Sequence, residues 1–322
     1  MRVLLLGTGS IGRRHARNLR ALDATCDFVV VRSGARRDEY TDSLGATVVP
    51  DLQQGLTCEP DVAVVATPSA VHARSLIPTL DAGLPVYVEK PVVTRVGDMA
   101  DVAEALERRT ISAPTMAGCN LRFLPSLGFV RDLVRSGALG RVVRAHFECG
   151  QWLPDWRETD YRQSYSANAE AGGGVLLDLI HEFDACRWIL GEVRAVAAAA
   201  DQLSGLEIDT EDVAVALLRG EAGTLVSVGL DYVARRRIRR YEFVGTDGTA
   251  VWDFAASRVL VNGVPTQALP TDAFDVGATY VSAMREFLEC AAVGSPTSQE
   301  ISQALGSTAL ALRCKELAEP WQ

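Results

Sequence analysis

The sequence has no cluster of cysteines. Its seven cysteines are scattered, and no two stand at the short spacing of a zinc or redox motif. This pattern excludes a scaffold held by disulfides and predicts no bound metal. Scattered thiols are typical of proteins in a reducing compartment.

Long apolar runs are also missing. The apolar run at residues 3–6 ends at Gly7, which is short of the roughly 7–15 residues in the core of a signal peptide. No stretch approaches the roughly 20 apolar residues that span a membrane. We therefore expect a cytoplasmic protein without a membrane partner.

Positive charges are outnumbered by negative ones. The formal net charge is -9, so most of the surface repels a polyanion, and we expect no nucleic-acid partner. One basic run, residues 235–240 with Ile238 inside it, stands against this background. We interpret it as a solvated or subunit-facing strand rather than a DNA-binding patch.

What the sequence does contain is the composition of a globular protein. Of 322 residues, 48% are hydrophobic and 23% charged, which suffices for a packed core without metal or disulfides. We predict two domains, one over residues 1–118 and one over 119–322.

The first domain alternates short apolar runs with helical patterns. We predict strands at 3–6, 28–31, 46–49, 62–66 and 85–88, and helices at 11–22, 70–82 and 97–108. Strands that are apolar on both faces and separated by helices indicate a parallel sheet covered on both sides. The expected fold is therefore an α/β, doubly wound Rossmann domain.

The second domain has a different pattern, with alternating polar and apolar residues. Strands are predicted at 141–149, 193–202, 213–218, 224–232, 239–245 and 250–254, with Asp247-Gly248 as a hairpin turn. A single helix is predicted over residues 175–190, ending at Gly191. We expect an α+β domain with an open, mostly antiparallel sheet.

A glycine loop follows the first strand directly and opens the first helix. In Gly7-Thr8-Gly9-Ser10-Ile11-Gly12, Gly7 permits the tight turn, Gly9 lets a pyrophosphate approach the backbone and Gly12 lets the helix pack on the strand. The helix N-terminus offers N–H groups to the anion. The loop predicts a dinucleotide-binding site.

The end of the second strand bears on the choice of dinucleotide. An acidic residue there would bond the ribose hydroxyls of NAD, but residues 31–37 contain no carboxylate. Arg32, Ser33 and Arg36 could instead hold the 2′-phosphate of NADP. We predict NADP as the preferred cofactor, with NAD as the alternative.

Three further segments of the sequence form a characteristic set of motifs together with the glycine loop. They are Ala66-Thr67-Pro68-Ser69-Ala70-Val71-His72, Val88-Glu89-Lys90-Pro91, and the stretch from Gly172-Gly173-Gly174 to His181-Glu182-Phe183-Asp184. Together with the glycine loop, they resemble the glucose-fructose oxidoreductase / inositol dehydrogenase (Gfo/Idh/MocA) family over nearly the whole chain.

The resemblance implies an NAD(P)-dependent oxidoreductase acting on a sugar, cyclitol or sugar nucleotide. It implies that Lys90 and His181 face the nicotinamide in a crevice between the two halves. Thr67, Pro68, His72 and Glu89 become candidate cofactor contacts, although His72 could instead be a packing residue. It also implies a homo-oligomer, a dimer or tetramer, formed through the open C-terminal sheet.

The two candidate catalytic side chains differ in their ordinary pKa. A histidine with a pKa of about 6.5 is often neutral at neutral pH, whereas a lysine with a pKa of about 10.4 is charged. His181 is thus the better general base for alcohol oxidation, and Lys90 the better stabiliser of the developing alkoxide. Asp178 and Asp184, each three residues from His181, would share its helix face, and either could orient the imidazole.

Candidate substrate contacts lie in two segments of the second domain. The resemblance places residues 118–123 beside the active site, and a stretch from residue 151 to 166 mixes aromatic side chains with arginines that could pair with a carboxylate or phosphate. The candidates, including one residue of the predicted helix, are Asn120, Arg122, Trp152, Arg157, Tyr161, Arg162, Tyr165 and Asp184.

Two other functions remain open for such a sequence. One is a sensor that binds NAD(P) without turnover, and the other is a glycosidase in which a transient oxidation assists elimination. The presence of both Lys90 and His181 argues against a sensor.

Overall fold

In a computed structural model, which describes residues 1–109, 113–156 and 159–318, the chain forms two compact units. Unit 1 contains Met1–Cys119 and Tyr280–Gly306, and unit 2 contains Asn120–Thr279 and the chain from Ser307 onward. The predicted boundary after Gly118 lies one residue before the first crossing. The return of Tyr280–Gly306 to unit 1 is a feature that the prediction did not include.

Unit 1 alternates strands and helices as predicted. Its elements are β1 (Arg2–Leu6), α1 (Ser10–Leu22), β2 (Asp27–Val31), α2 (Glu39–Ser43), β3 (Thr47–Val49), α3 (Leu52–Thr57), β4 (Val62–Val65), α4 (His72–Asp81), β5 (Val86–Val88), α5 (Val96–Glu107) and β6 (Thr115–Ala117).

These strands form one six-stranded parallel sheet in the order β3-β2-β1-β4-β5-β6. Four of the five residues of β1 and all four of β4 are buried, because helices cover both faces of a parallel sheet. Each fully buried leucine or valine contributes roughly 1.5–3 kcal/mol relative to an exposed one. The prediction of a doubly wound Rossmann fold is confirmed.

Unit 2 is built on strands that follow one another along the chain. Its elements, with two helices that also supply residues to unit 1, are α6 (Pro125–Arg135), β7 (Val142–Gly150), α7 (Val175–Asp178), α8 (His181–Leu190), β8 (Val193–Asp201), β9 (Val213–Gly220), β10 (Leu225–Asp231), β11 (Ile238–Gly245), β12 (Thr249–Asp253), β13 (Arg258–Val261), β14 (Val264–Pro265), α9 (Val276–Val293) and α10 (Ile301–Leu317).

The eight strands of unit 2 form one sheet in the order β14-β13-β12-β11-β7-β10-β9-β8, antiparallel except where β10 pairs with β7. Side chains alternate strictly along β9, where Ala214, Ala216 and Leu218 are buried while Val215 and Leu217 are exposed. One face of the sheet thus packs on the core and the other is open, as predicted.

The predicted helix over residues 175–190 is wrong in one respect, because it is two helices. Leu179, with φ -93° and ψ 35°, leaves the helical region, so α7 ends at Asp178 and α8 begins at His181. Hydrogen bonds hold Asp178 and Glu182 to different parts of unit 2. We attribute the break to these tertiary contacts, which the helical pattern of the sequence does not register.

Candidate active site

Three loops of unit 1 meet at one edge of its sheet. They follow β1, β4 and β5, which are adjacent and parallel, so their carboxyl ends lie side by side. The strand order reverses between β1 and β4, and ligands of open α/β sheets bind at such a reversal.

The glycine loop after β1 has the geometry that a pyrophosphate needs. Gly7 has φ +104°, and a Cβ at Gly7 would overlap the Ala66 carbonyl oxygen, while a Cβ at Gly12 would overlap the Gly7 carbonyl oxygen. A Cβ at Gly9, by contrast, would meet nothing within 4 Å. Gly7 and Gly12 are therefore required by the fold, whereas Gly9 leaves open space in front of the backbone.

The first turn of α1 is left without a protein cap. Its N-cap is Gly9, no side chain among the described residues caps the helix, and the first turn contains no acidic residue. Ser10 and Ile11 thus present backbone N–H groups and the positive end of the helix dipole to an anion. The residues present fit the pyrophosphate of a dinucleotide.

The segment after β2 contains both the predicted cations and a neighbouring carboxylate. Arg32 Nη1 lies 2.6 Å from Asp38 Oδ2, and Asp38 also accepts the Thr41 N–H at 2.9 Å to cap α2. These contacts, the Thr41 N–H first and then Arg32, lower the pKa of Asp38 to about 2. Arg32 is thus partly neutralised, while Arg36 takes part in no ion pair within the described ranges.

His72 connects the loops after β4 and β5. Its ring nitrogens lie 2.8 Å from the Thr67 carbonyl oxygen and 3.0 Å from that of Pro91, and the ring is fully buried. Both contacts are to the protein backbone, which favours the packing interpretation. Pro68 begins the short 3-10 turn Ser69–Val71, and the Thr67 hydroxyl is a buried donor without a protein partner in the described residues.

Glu89 and Lys90 lie directly after β5, and their peptide neighbour Pro91 follows through a cis bond. Glu89 is buried and accepts a hydrogen bond from His15 Nε2 at 2.6 Å. Burial alone would raise the pKa of Glu89, but His15 and the charge of Lys90 hold it below its usual value of 4.5. Glu89 therefore fixes the backbone from which Lys90 projects.

In unit 2, His181 is buried at the first position of α8. Asp178, on the preceding helix, accepts hydrogen bonds from Ser166 Oγ at 2.7 Å, from Tyr232 OH at 3.1 Å and from Tyr165 OH. The expectation that Asp178, His181 and Asp184 share one helix is therefore wrong for Asp178. Burial and the Asp178 charge raise the pKa of Tyr232 well above its usual value, so this hydroxyl stays a donor.

Glu182, the residue after His181, belongs to a buried network that sequence reasoning missed. It accepts hydrogen bonds from Arg239 Nε at 2.8 Å and from Tyr241 OH at 2.9 Å, and its side chain is fully buried. Arg239 belongs to the basic run, so the interpretation of that run as solvated is wrong at this position. Only the tertiary pairing of α8 with β11 distinguishes Arg239 from its exposed neighbours.

Two predicted substrate contacts bind each other. Arg122 and Asp184 form a bidentate ion pair at 2.8 and 2.6 Å, and Ser307 Oγ also donates to Asp184 at 3.0 Å. Asn120, also predicted, is buried and donates to Thr279 Oγ1 at 2.6 Å. These side chains have structural partners within unit 2.

The aromatic stretch between β7 and α7 makes several contacts within unit 2. Tyr165 reaches Asp178, as described, and Tyr161 OH accepts the Glu207 N–H at 3.2 Å. Arg162 is exposed and paired with Asp160 at 2.9 Å and with Glu207 at 2.7 Å. Trp152 lies beneath the guanidinium of Arg235, and Arg157 lies outside the described residues.

No helix in the described part of the chain is long and apolar enough to cross a membrane. Over the same residues, no group of three histidine, cysteine, aspartate or glutamate side chains could hold a metal ion.

The fold and the glycine loop define a dinucleotide-binding protein, and two family models specify its class further. An oxidoreductase family model with an NAD-binding Rossmann fold matches residues 1–112, and the model of the GFO/IDH/MocA C-terminal domain matches residues 129–251. The chain belongs to the GFO/IDH/MocA family.

Individual relatives agree with this assignment. An inositol 2-dehydrogenase of Acidothermus cellulolyticus is 28% identical over 259 residues, covering 77% of this chain and 72% of the relative. A myo-inositol 2-dehydrogenase of Thermotoga maritima is 28% identical over 252 residues, 75% of this chain and 71% of the relative. The crystal structure of GenD2 from gentamicin A biosynthesis, in complex with NAD, superposes with a TM-score of 0.81 at 26% identity, covering 99% of this chain and 94% of that one.

Proposed function

We propose that the chain transfers a hydride between a nicotinamide dinucleotide and a CH–OH carbon of a sugar, cyclitol or sugar nucleotide. The observation that carries the proposal is the glycine loop, where Gly9 leaves open space before the uncapped first turn of α1. The names of the relatives, inositol dehydrogenases among them, support a polyhydroxylated substrate.

The dinucleotide would be held by the edge of the unit 1 sheet. The N–H groups around Gly9, Ser10 and Ile11 would bind the pyrophosphate, and the Thr67 hydroxyl is a further donor. When bound, the nicotinamide supplies the hydride acceptor or donor of the reaction.

The proton chemistry falls to residues of the chain itself. We propose that His181 removes the hydroxyl proton when the substrate is oxidised and that its imidazolium returns a proton to the carbonyl oxygen in reduction. Lys90 would stabilise the developing alkoxide by its positive charge. Asp178 is the last residue of α7 and is held by the hydroxyl groups of Ser166 and Tyr232. It would position the imidazole of His181.

The decisive experiment follows net conversion of NAD(P)+ to NAD(P)H with a panel of sugars, cyclitols and nucleotide-linked sugars. We expect turnover by the native protein and a loss of at least about a hundredfold in kcat for Lys90→Met and for His181→Asn, with dinucleotide affinity kept. Binding without turnover would indicate a sensor, and substrate cleavage without net redox change a glycosidase; either result would contradict the proposal.

We further propose that NADP is preferred over NAD. The side chains of Ser33 and Arg36 have no hydrogen-bond or ion-pair partner in the described residues, and Arg32 could move from Asp38 to a 2′-phosphate. Titration of both dinucleotides tests this, with Arg36→Gln expected to weaken NADP binding roughly tenfold and NAD binding little. Equal or tighter binding of NAD by the native chain would refute the preference.

The open face of the unit 2 sheet is proposed as the subunit interface of a dimer or tetramer. Val196, Val215, Leu217 and Leu225, on β8, β9 and β10, are each about half exposed or more. Exposed apolar groups on neighbouring strands mark a surface that association buries.

We propose the cytoplasm as the site of action. Five of the seven cysteines are buried in the structure and no disulfide joins any of them, which suits a reducing compartment. Fractionation of the producing cells with an antibody to the protein would test this, and recovery outside the cytoplasm would contradict it.

A further inference from the structure

The basic run before and within β11 divides into two sets of arginines. Arg239 and Arg240 lie on β11 and point to opposite faces of the sheet, whereas Arg235, Arg236 and Arg237 precede the strand and are exposed. Arg239 is buried and marks the side that faces α8, since it binds Glu182 there. Arg240 binds Glu242 on the open face of the sheet.

Only some arginines of the basic run form ion pairs with carboxylates of the described residues. Arg239 and Arg240 have carboxylate partners, but no carboxylate in the described part of the chain pairs with Arg235 or Arg237. Partial burial and the neighbouring charge of Arg239 lower the pKa of Arg237. The positive charges of Arg235 and Arg237 are thus not offset by any carboxylate of the described residues.

Both arginines are nevertheless held in place. The guanidinium carbon of Arg235 lies 3.4 Å from the centre of the Trp152 ring, and that of Arg237 lies 4.8 Å from the centre of the Phe254 ring. Stacking on an aromatic face fixes the guanidinium plane and leaves its N–H edge for an anion. Bidentate binding of a carboxylate or phosphate uses that edge.

The position of the pair connects it to the proposed chemistry. Arg237 and Arg239 lie roughly 7 Å apart along the chain, and Arg239 holds the residue next to His181. Trp152 follows β7, whose last residue, Gly150, pairs with the first residue of β11. Arg237 is therefore two residues away from the arginine that binds the first turn of α8, the helix that begins at His181.

We propose that Arg235 and Arg237 bind an anionic group of the substrate, a carboxylate or a phosphate, so that the enzyme selects acidic sugars. This inference rests on the proposed function and gives its substrate class. It also moves the anion site away from Arg162, whose guanidinium already binds Asp160 and Glu207. In a chain of net charge -9, such a local cationic site attracts an anion that the rest of the surface repels.

Calorimetric titration of the protein saturated with dinucleotide tests the proposal. The probes are D-glucuronate, D-galacturonate and D-glucose 6-phosphate, each compared with its neutral parent sugar, so that the carboxylate and phosphate arms are read separately. We expect at least one acidic sugar to bind the native chain about tenfold or more tighter than its parent. Arg235→Gln and Arg237→Gln should each remove most of that preference, and Arg237→Lys should keep part of it.

Arg236→Gln is the matched control, because it removes the same charge from the same run at an exposed residue that lies over no aromatic ring of the described residues. It should leave the preference intact. The absence of any preference for the acidic member of a pair, including no binding at all by the three acidic probes, would overturn the proposal, as would an equal effect of Arg236→Gln. Turnover of neutral sugars without a preference for acidic ones would contradict this inference alone. Binding of acidic sugars that depends on Arg235 and Arg237, but without any turnover, would contradict the dehydrogenase proposal alone.

Discussion

Single buried carboxylates hold the proposed catalytic residues in place. Glu89 precedes Lys90 and pairs with His15, while Glu182 follows His181 and pairs with Arg239. A carboxylate buried with its counter-charge and hydrogen bonds fixes the backbone around it, but removing one partner leaves an uncompensated charge. At the scale of residues, adjacent positions in the sequence therefore have distinct roles. The buried glutamate fixes the local backbone, and the neighbouring lysine or histidine is the catalytic candidate.

The Glu182 network predicts a large effect on stability. Glu182→Gln leaves Arg239 buried without its counter-charge, so we expect the free energy of unfolding to fall by about 3–5 kcal/mol in urea denaturation. Tyr241→Phe, which removes one hydrogen bond to the same carboxylate, should cost about 1 kcal/mol. A Glu182→Gln variant within about 1 kcal/mol of the native chain would show that Arg239 finds another partner.

The lowered pKa of Glu89 predicts a pH dependence of stability. A carboxyl group whose pKa is lower in the folded chain than its usual 4.5 stabilises the fold above that pH. The contribution is lost as the pH falls below 4.5 through the folded-state pKa. Thermal unfolding across the acid range should thus show a steeper decline for the native chain than for Glu89→Gln, and parallel profiles would contradict this.

At the scale of elements, the strand, loop and helix that begin unit 1 form one structural motif. The sequence predicted all three parts, because the apolar run, the glycines and the helical pattern are local signals. The structure adds that the glycines differ in their surroundings: Gly7 and Gly12 allow the close packing of β1, α1 and the loop after β4, whereas Gly9 leaves open space before the backbone.

This difference is testable by a matched pair of variants. Gly12→Ala should destabilise the fold by roughly 1–3 kcal/mol, because its Cβ would overlap the Gly7 carbonyl oxygen. Gly9→Ala should leave stability within about 0.5 kcal/mol but weaken dinucleotide binding, because its Cβ fills the space before the backbone. Chemical denaturation and dinucleotide titration of both variants give the answer, and equal losses of stability would refute the division of roles.

The α7 and α8 pair shows where local patterns fail. The sequence from residue 175 to 190 is helical throughout by periodicity, yet Leu179 interrupts it. The Asp178 carboxylate is bound by hydroxyl groups from residues 165, 166 and 232. Such partners are distant along the chain, so no window of sequence shows them.

At the scale of the whole molecule, the chain leaves the dinucleotide-binding unit after Cys119, returns to it at Tyr280 and leaves it again after Gly306. Residues 280–306, which the sequence assigned to the second domain, belong to unit 1, where Tyr280 and Phe287 lie against His15 and Tyr87. The open face of the unit 2 sheet is the other large-scale feature, and it is the proposed subunit interface.

The assembly is tested by one charge on that face. Leu217→Glu places a carboxylate among exposed apolar side chains of β8–β10, so we expect it to reduce an oligomer to monomers in sedimentation or light-scattering measurements. Leu203→Glu, the same change at a site 70% exposed and outside the sheet, is the control. A native chain that is monomeric, or a Leu217→Glu variant that keeps the native mass, would contradict the interface.

The sequence by itself determined the fold class, the dinucleotide site and the identity of Lys90 and His181 as candidates, because these depend on local periodicity, glycine spacing and short motifs. Only the tertiary structure decided that Arg122 and Asp184 bind each other, that Arg239 is buried while Arg235 and Arg237 are left without a carboxylate partner in the described residues, and that residues 280–306 return to unit 1. The physical reason is that an arginine's role depends on which carboxylate reaches it, and that is settled by strand register and helix packing between residues far apart in the chain.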